Sequence, residues 1–139
     1  RSTLFPYTTL FRSLAEIAVV GLSDREETTS NRVSKEMQAR GYRIIPVNPR
    51  AEGSQIFGET VYASLKDIPF PVDIVDVYRR SEFLPDVARD FLEADAKIFW
   101  AQLGLENEEA EQILRAAGHD DIVMDRCIKR EHTRLILGE

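Results

Sequence analysis

Short, β-branched apolar runs alternate along the chain with stretches in which apolar residues recur every three or four positions. The first pattern marks buried strands and the second amphipathic helices. Residues 15–21 read as a strand. Residues 28–40 read as a helix, with Ser30 as its N-cap, Val33 and Met37 on one face and Gly41 just past its end. Residues 42–47 are the second predicted strand, with an irregular end because Pro46 has no ladder donor. A short third strand is expected at 61–64, then a turn to Ile68 and a loop punctuated by Pro69 and Pro71. Residues 72–78 alternate strictly and predict a strand. Residues 81–95 predict a helix with Phe83, Val87 and Phe91 on one stripe. A strand at 97–102, a helix at 107–117, a strand at 121–124 and a short helix at 127–134 complete the series.

Strands spaced by helices imply βαβ units and a parallel sheet. Such a sheet binds ligands beyond the carboxyl ends of its strands, where the strand order reverses. The 139 residues suit one domain with a core of its own. A net charge of −6 argues against a nucleic-acid binder held by phosphate attraction. No apolar run reaches the length of a membrane span, so no membrane partner is expected. Cys127 is the only cysteine, which excludes an intrachain disulfide and suits a reducing cytoplasm.

The leading run changes this picture. Residues 3–13, TLFPYTTLFRS, resemble the in-frame translation of a sequencing adapter. Such a segment is set aside before fold reasoning. The expectation is therefore a native domain over 14–139 that lacks its natural leading helix, with 1–13 as an artefact. Without Arg1 and Arg12, basic residues fall from 18 to 16 against 24 acids, a net charge of −8. Deleting 1–13 is expected to leave the fold intact, although Leu4, Phe5, Leu10 and Phe11 could cover apolar surface.

Candidate chemistry lies at the strand ends. Gly21, Leu22 and Ser23 follow the first strand, where a glycine permits a tight turn and the next helix offers amides to an anion. The dinucleotide fingerprint needs three glycines, but Ser23 and Glu26 stand at its second and third positions. Asn48-Pro49-Arg50 stands where an acidic ribose ligand would be. Arg50, Arg79, Arg80 and Arg32 gather along the same predicted edge, and guanidinium suits phosphate by its planar, bidentate geometry. Singly, each could be an ordinary surface arginine. Gln102 can donate and accept, and Gly104 permits close approach. Trp100 suits the core, and Tyr78 suits either core or site. The carboxylates of 106–111 read as a solvated face, and His119 as a loop residue. Neither His119 nor His132 belongs to a catalytic triad or a metal-ligand spacing. Cys127 is open to two readings, a core filler behind the last strand or a thiol at the ligand's edge.

The stretches IAVVGLS (17–23), SNRV (30–33), GYRIIPVNP (41–49), FGE (57–59), VDIVDVYRR (72–80), WAQLG (100–104), DRC (125–127) and EH (131–132) occur in order. With these, the chain resembles the small stand-alone CoA-binding proteins, whose Rossmann-like domain is similar to the N-terminal domain of the succinyl-CoA synthetase α-subunit. The resemblance covers nearly everything from Leu14 onward. It implies an α/β fold: a Rossmann-like open parallel sheet of about six strands, ordered 3-2-1-4-5-6, with helices on both faces. It implies coenzyme A as the ligand across the carboxyl edge. By that resemblance the contacts come from Gly21, Leu22, Ser23, Ser30, Asn31, Arg32, Asn48, Pro49, Arg50, Tyr78, Arg79, Gln102, Leu103 and Gly104. The loop at 24–29 departs from the family's pattern in lacking a proline, and its Asp24, Glu26 and Glu27 would repel pyrophosphate if they pointed inward.

The leading expectation is a module that holds coenzyme A or an acyl-CoA without catalysis and without a metal. The alternatives are a subunit of a CoA ligase or oxidoreductase, or an NAD(P)-type nucleotide-binding domain. The ligase chemistry would need a phosphorylatable histidine and a nucleotide-grasping partner, and no such partner protein can be named from the sequence.

Overall fold

The computed structural model describes residues 11–12 and 16–138. The rest of the leading run, and the expected strand start at Ala15, lie outside the described residues. Five strands form one parallel sheet: β1 (Glu16–Val20), β2 (Arg43–Val47), β5 (Val72–Val77), β6 (Ala96–Ala101) and β7 (Ile122–Val123), in the order β2-β1-β5-β6-β7. The two-residue strands β3 (Gln55–Ile56) and β4 (Glu59–Thr60) form a separate antiparallel hairpin, which turns through Phe57 and Gly58 at positive φ. The strand order reverses between β1 and β5, which are hydrogen-bonded neighbours.

The third strand of the expected order keeps its place but loses its ladder. Tyr62 makes one parallel bridge with Val47 on the outer edge of β2. Tyr62 N–H donates to Pro46 O at 3.0 Å and Asn48 N–H donates to Tyr62 O at 2.8 Å. The Pro46 carbonyl points outward, so its nitrogen faces the same edge and has no hydrogen to give. Pairing therefore stops at one bridge, and a single 3-10 turn, Leu65–Asp67, follows.

The helices are α1 (Thr29–Ala39), α2 (Leu84–Glu93), α3 (Glu108–Ala116) and α4 (Ile128–His132). Ser30 is not the N-cap of α1. Thr28 precedes the helix, and the Ser30 hydroxyl, at the second helical position, accepts the Ser23 N–H at 3.1 Å. The predicted helix at 81–95 opens as a separate 3-10 turn, Ser81–Phe83, before α2, with Pro85 in the first helical turn. Asn107 caps α3 by accepting the Ala110 N–H at 2.9 Å. The chain continues from α4 into a π-helical turn, Thr133–Leu137.

Alternation along the strands splits the core into two layers. Ala18, Val20, Ile45, Val47, Val75, Val77 and Phe99 face α2 and α3, where Phe91 packs edge-on against Phe99 with centroids 5.6 Å apart. Ile17, Val19, Ile44, Ile74, Ile98 and Trp100 face α1 and α4, with Val33, Met37 and Ile128. Trp100 is a core residue, 1% exposed, and its indole N–H donates to Arg126 O at 2.8 Å. Phe11, from the leading run, packs on this second layer. Its ring meets Tyr42, Trp100 and His132 with centroids 5.3–6.2 Å apart, and its carbonyl accepts the Tyr42 hydroxyl at 2.6 Å.

Candidate functional site

The carboxyl ends of β1, β2 and β5 open into a cleft of about 620 Å³ on the α2 side of the sheet. Gly21 stands at its crest, with φ +90°. A Cβ there would come within 3.0 Å of the Tyr78 carbonyl oxygen, so only glycine fits between the β1 and β5 ends. Gly21 N–H donates to Val47 O at 2.8 Å and Tyr78 N–H to Val20 O at 2.8 Å, which ties the three strand ends together.

The cleft has two chemically different ends. One carries Arg50, Arg79 and Arg80. Arg80 pairs with Glu82 at 3.4 Å, whereas among the described residues Arg50 and Arg79 form no ion pair. Phe83 holds two of these cations, with the Arg79 and Arg80 guanidinium carbons 4.5 and 5.4 Å from its ring centroid. The other end is built from Leu65, Val87, Ser64 and Asp90, with the Ser64 hydroxyl 3.4 Å from Asp90 Oδ2. None of these four residues was singled out as a candidate by the sequence. Asp90 sits one turn past Val87 on the buried side of a helix, and that placement was the one available signal.

A second cleft of about 510 Å³ lies across the sheet edge, on the α1 and α4 side. Arg32, Gln102, Leu103, Cys127, Lys129 and Arg130 line it, and Tyr78 lines both clefts. Below Tyr78 on the same strand face, Asp76 lies between Val19 and Trp100 and is 1% exposed. The Tyr78 hydroxyl and Asp76 Oδ1 are buried and make no hydrogen bond within 3.5 Å. Burial pushes the Asp76 carboxyl well above the usual carboxylate range, an effect that the nearby Tyr78 hydroxyl partly offsets. Burial, with Asp76 and Cys127 nearby, also pushes the Tyr78 hydroxyl up, so it remains a proton donor.

The candidates taken from the sequence divide into lining groups and groups that hold the loops. Gly21, Asn48, Pro49, Arg50, Tyr78 and Arg79 line the first cleft. Arg32, Tyr78, Gln102 and Leu103 line the second. Ser30 and Asn31 are buried and occupied, Ser30 by the Ser23 N–H and Asn31 Nδ2 by Ser23 O at 2.8 Å. Both fix the loop after β1. Asn48 lines the cleft while its side chain is engaged on both sides: Nδ2 donates to Leu22 O at 3.0 Å and Oδ1 accepts Arg50 N–H at 3.0 Å. Leu22 is a fully buried core residue. Gly104, at φ +86°, donates to Asp125 Oδ1 at 2.6 Å and lines neither cleft. Asp24, Glu26 and Glu27 are exposed and line neither cleft, so the feared repulsion at the loop does not arise from inward-facing carboxylates. Among the described residues no group of acidic, histidine or cysteine side chains could hold a metal ion, and no helix is long and apolar enough to cross a membrane.

The chain is similar to known proteins over most of its length. The model of the family described as CoA binding domain matches residues 15–133. The uncharacterized protein YneT of Bacillus subtilis (strain 168) is 57% identical over 116 residues, 84% of each chain. The structure of cell-free ID.343 from Thermus thermophilus superposes with a TM-score of 0.90 at 35% identity, covering 96% of this chain and 98% of that one. The dinucleotide-forming acetyl-coenzyme A synthetase 1 of Ca. Korarchaeum cryptofilum matches with a TM-score of 0.60 at 26% identity. That match covers 75% of this chain and 24% of the synthetase.

Proposed function

The chain belongs to the CoA binding domain family, and from that premise we propose that it holds coenzyme A or an acyl-CoA along the carboxyl edge without turning it over. The observation that carries the reading is the polarity of the first cleft. At one end, Arg50 and Arg79 stand without carboxylate partners among the described residues. At the other end, Leu65 and Val87 stand beside Asp90 and Ser64. The arginines suit the phosphates of an adenosine phosphate. The apolar walls suit the faces of its purine, and the Asp90 carboxylate suits its exocyclic amine. Tyr78 joins this cleft to the second, so a ligand with a nucleotide head and a long arm can lie across the edge. An NAD(P) reading is weaker, because Ser23 stands at the second fingerprint glycine and Asn48 replaces the acidic ribose ligand. The single thiol suits a reducing, cytoplasmic compartment.

The test is thermal unfolding with coenzyme A, acetyl-CoA, NAD, NADP and ATP. Binding stabilises the folded state by RT ln(1 + [L]/Kd), about 2.7 kcal/mol at a hundredfold excess over Kd. Coenzyme A raises the Tm and NAD leaves it unchanged. Equal shifts with NAD and coenzyme A would sink the assignment.

A further inference from the structure

Two loops beside the second cleft are stitched together in a way that binding a nucleotide head does not explain. Residues 102–107 join β6 to α3, and residues 124–127 join β7 to α4. Asp125 holds the first loop from two directions. Its Oδ1 accepts the Gly104 N–H at 2.6 Å, and its own N–H donates to Leu105 O at 3.0 Å. A carboxylate acceptor makes a short, strong bond to a backbone N–H. Asp125 makes these contacts at φ +60°, in the left-handed region that side chains rarely adopt and that aspartate and asparagine tolerate best. Ile128 N–H, donating to Gln102 Oε1 at 2.9 Å, fastens the start of the same loop. Between these anchors stands Leu103. It is 55% exposed and lines the second cleft beside Leu105. Among the described residues the other large apolar side chain left so exposed is Leu137, near the end of the chain. An apolar side chain held out over a cleft forgoes burial in the free protein and gains it under a ligand.

We propose that Asp125 is a positioning residue, which presets the loop after β6 so that Leu103 closes over the arm of the ligand. The inference rests on the CoA reading of the edge. Asp125 lines neither cleft, so it acts through the loop rather than by touching the ligand. Its effect is preorganisation. A loop that is ordered before binding needs no further ordering when the ligand arrives. The left-handed backbone at Asp125 is strain that the surrounding hydrogen bonds offset, and strain of this kind gathers at ligand clamps.

Calorimetry with coenzyme A tests this on the parent chain, Asp125→Gly, Asp125→Asn, Leu103→Ala and the Asp125→Gly/Leu103→Ala double variant. Glycine adopts the positive φ without strain but removes the acceptor, so Asp125→Gly folds with a loosened loop. It should bind coenzyme A about fivefold more weakly, because the loop must then be ordered on binding. Asparagine tolerates the same φ and its Oδ1 can accept the same N–H, so Asp125→Asn should bind within about twofold of the parent. Leu103→Ala should weaken binding about fivefold to tenfold through lost apolar burial. In that background Asp125→Gly should weaken it by under about twofold more, because residues that act through one another are not additive. Without ligand, amide exchange at Gly104 should be slow in the parent and in Asp125→Asn and faster in Asp125→Gly. Parent-like affinity or parent-like exchange in Asp125→Gly would overturn the inference. So would an Asp125→Asn variant as weak as Asp125→Gly, or single losses that multiply in full in the double variant. A parent chain that binds no coenzyme A would overturn the CoA reading itself and, with it, the role given to Asp125.

Discussion

The two faces of the sheet are built from the same five strands, yet they solve different problems. The face toward α2 and α3 is a dry core of Val, Ile, Ala, Leu and Phe side chains. The face toward α1 and α4 holds the buried polar groups of the described residues: Ser30, Asn31, Ser34, Asp76, Gln102 and His132. Burying a polar group costs free energy unless it is hydrogen-bonded. Four of the six meet that cost with named partners. Gln102 accepts from Ile128 N–H, Asn31 donates to Ser23 O, Ser30 accepts from Ser23 N–H, and His132 Nδ1 sits 2.9 Å from Arg40 Nη1. Ser34 Oγ and Asp76 Oδ1 do not. One face therefore holds the fold together, while the other gives up stability to position loops, strand ends and a half-buried thiol.

The largest expected effect comes from the dry face. Phe99→Ala removes a fully buried ring that packs on Phe91. It should cost about 3–5 kcal/mol by chemical denaturation, the range for large-to-small aromatic truncation in a core. A loss under 1 kcal/mol would mean that this layer is not the main source of stability.

Arg50→Ala and Arg79→Ala probe the cleft that opens on the same side. Each should weaken coenzyme A binding by tenfold or more while the fold persists, since a charge-assisted contact contributes about 1.5–3 kcal/mol. Calorimetry that found unchanged affinity in both would place the phosphates elsewhere.

On the polar face, Asp76→Asn should stabilise the protein by about 1–3 kcal/mol at pH 7, because the amide stays neutral at every pH whereas the buried carboxyl must either hold its proton or bury a charge. The sign of the pH dependence follows from the raised folded-state pKa of Asp76. Its contribution to stability is intact below the carboxyl's ordinary value and is lost as pH rises through the folded value. The variant's advantage should therefore shrink at pH 4. An advantage over the parent protein no larger at pH 7 than at pH 4 would show that the Asp76 carboxylate has a satisfying partner.

The smallest effect belongs to His132. The Arg40 guanidinium has only donors, so Nδ1 must accept and the neutral ring carries its hydrogen on Nε2. Burial, reinforced by Arg40, pushes its pKa below 6.5. The unfolded chain then binds the proton first, so stability is full above 6.5 and falls as pH drops below it. Denaturation curves at pH 7.5 and 5.5 should differ in that direction, and His132→Gln should flatten the difference.

Much of the layout was legible in the chain itself. The β-branched runs at 17–20, 72–77 and 96–101 and the 3.6-period stripe of Val87 and Phe91 fix strands and helices, because period alone decides which side chains share a face. The strand ends then name Gly21, Arg50, Tyr78 and Arg79 as neighbours, since parallel strands bring their carboxyl ends to one edge. Pro46 was expected to make the end of β2 irregular, but β2 stays in register with β1 through Pro46 and Val47; its missing donor acts on the outer edge instead, where the third strand is reduced to one bridge.

Other features could not be read that way. Ser30 and Asn31 look like ligand contacts in sequence, but folding turns them toward the backbone of the loop after β1. Leu65, Ser64, Phe83 and Asp90 come from three separate segments and meet only because α2 packs over the end of β5. Phe11 could be expected only to cover apolar surface, and the structure specifies which: its buried ring packs against Tyr42, Trp100 and His132. The sequence by itself determined most of the elements, a parallel sheet and the edge at which a ligand would lie, whereas the strand order came from the family resemblance. Local periodicity and turn chemistry carry that information over a few residues at a time. Only the tertiary structure decided that this edge opens into two clefts sharing Tyr78, and which polar groups there stay unpaired. Those outcomes depend on side chains distant in sequence competing for the same partners and the same space.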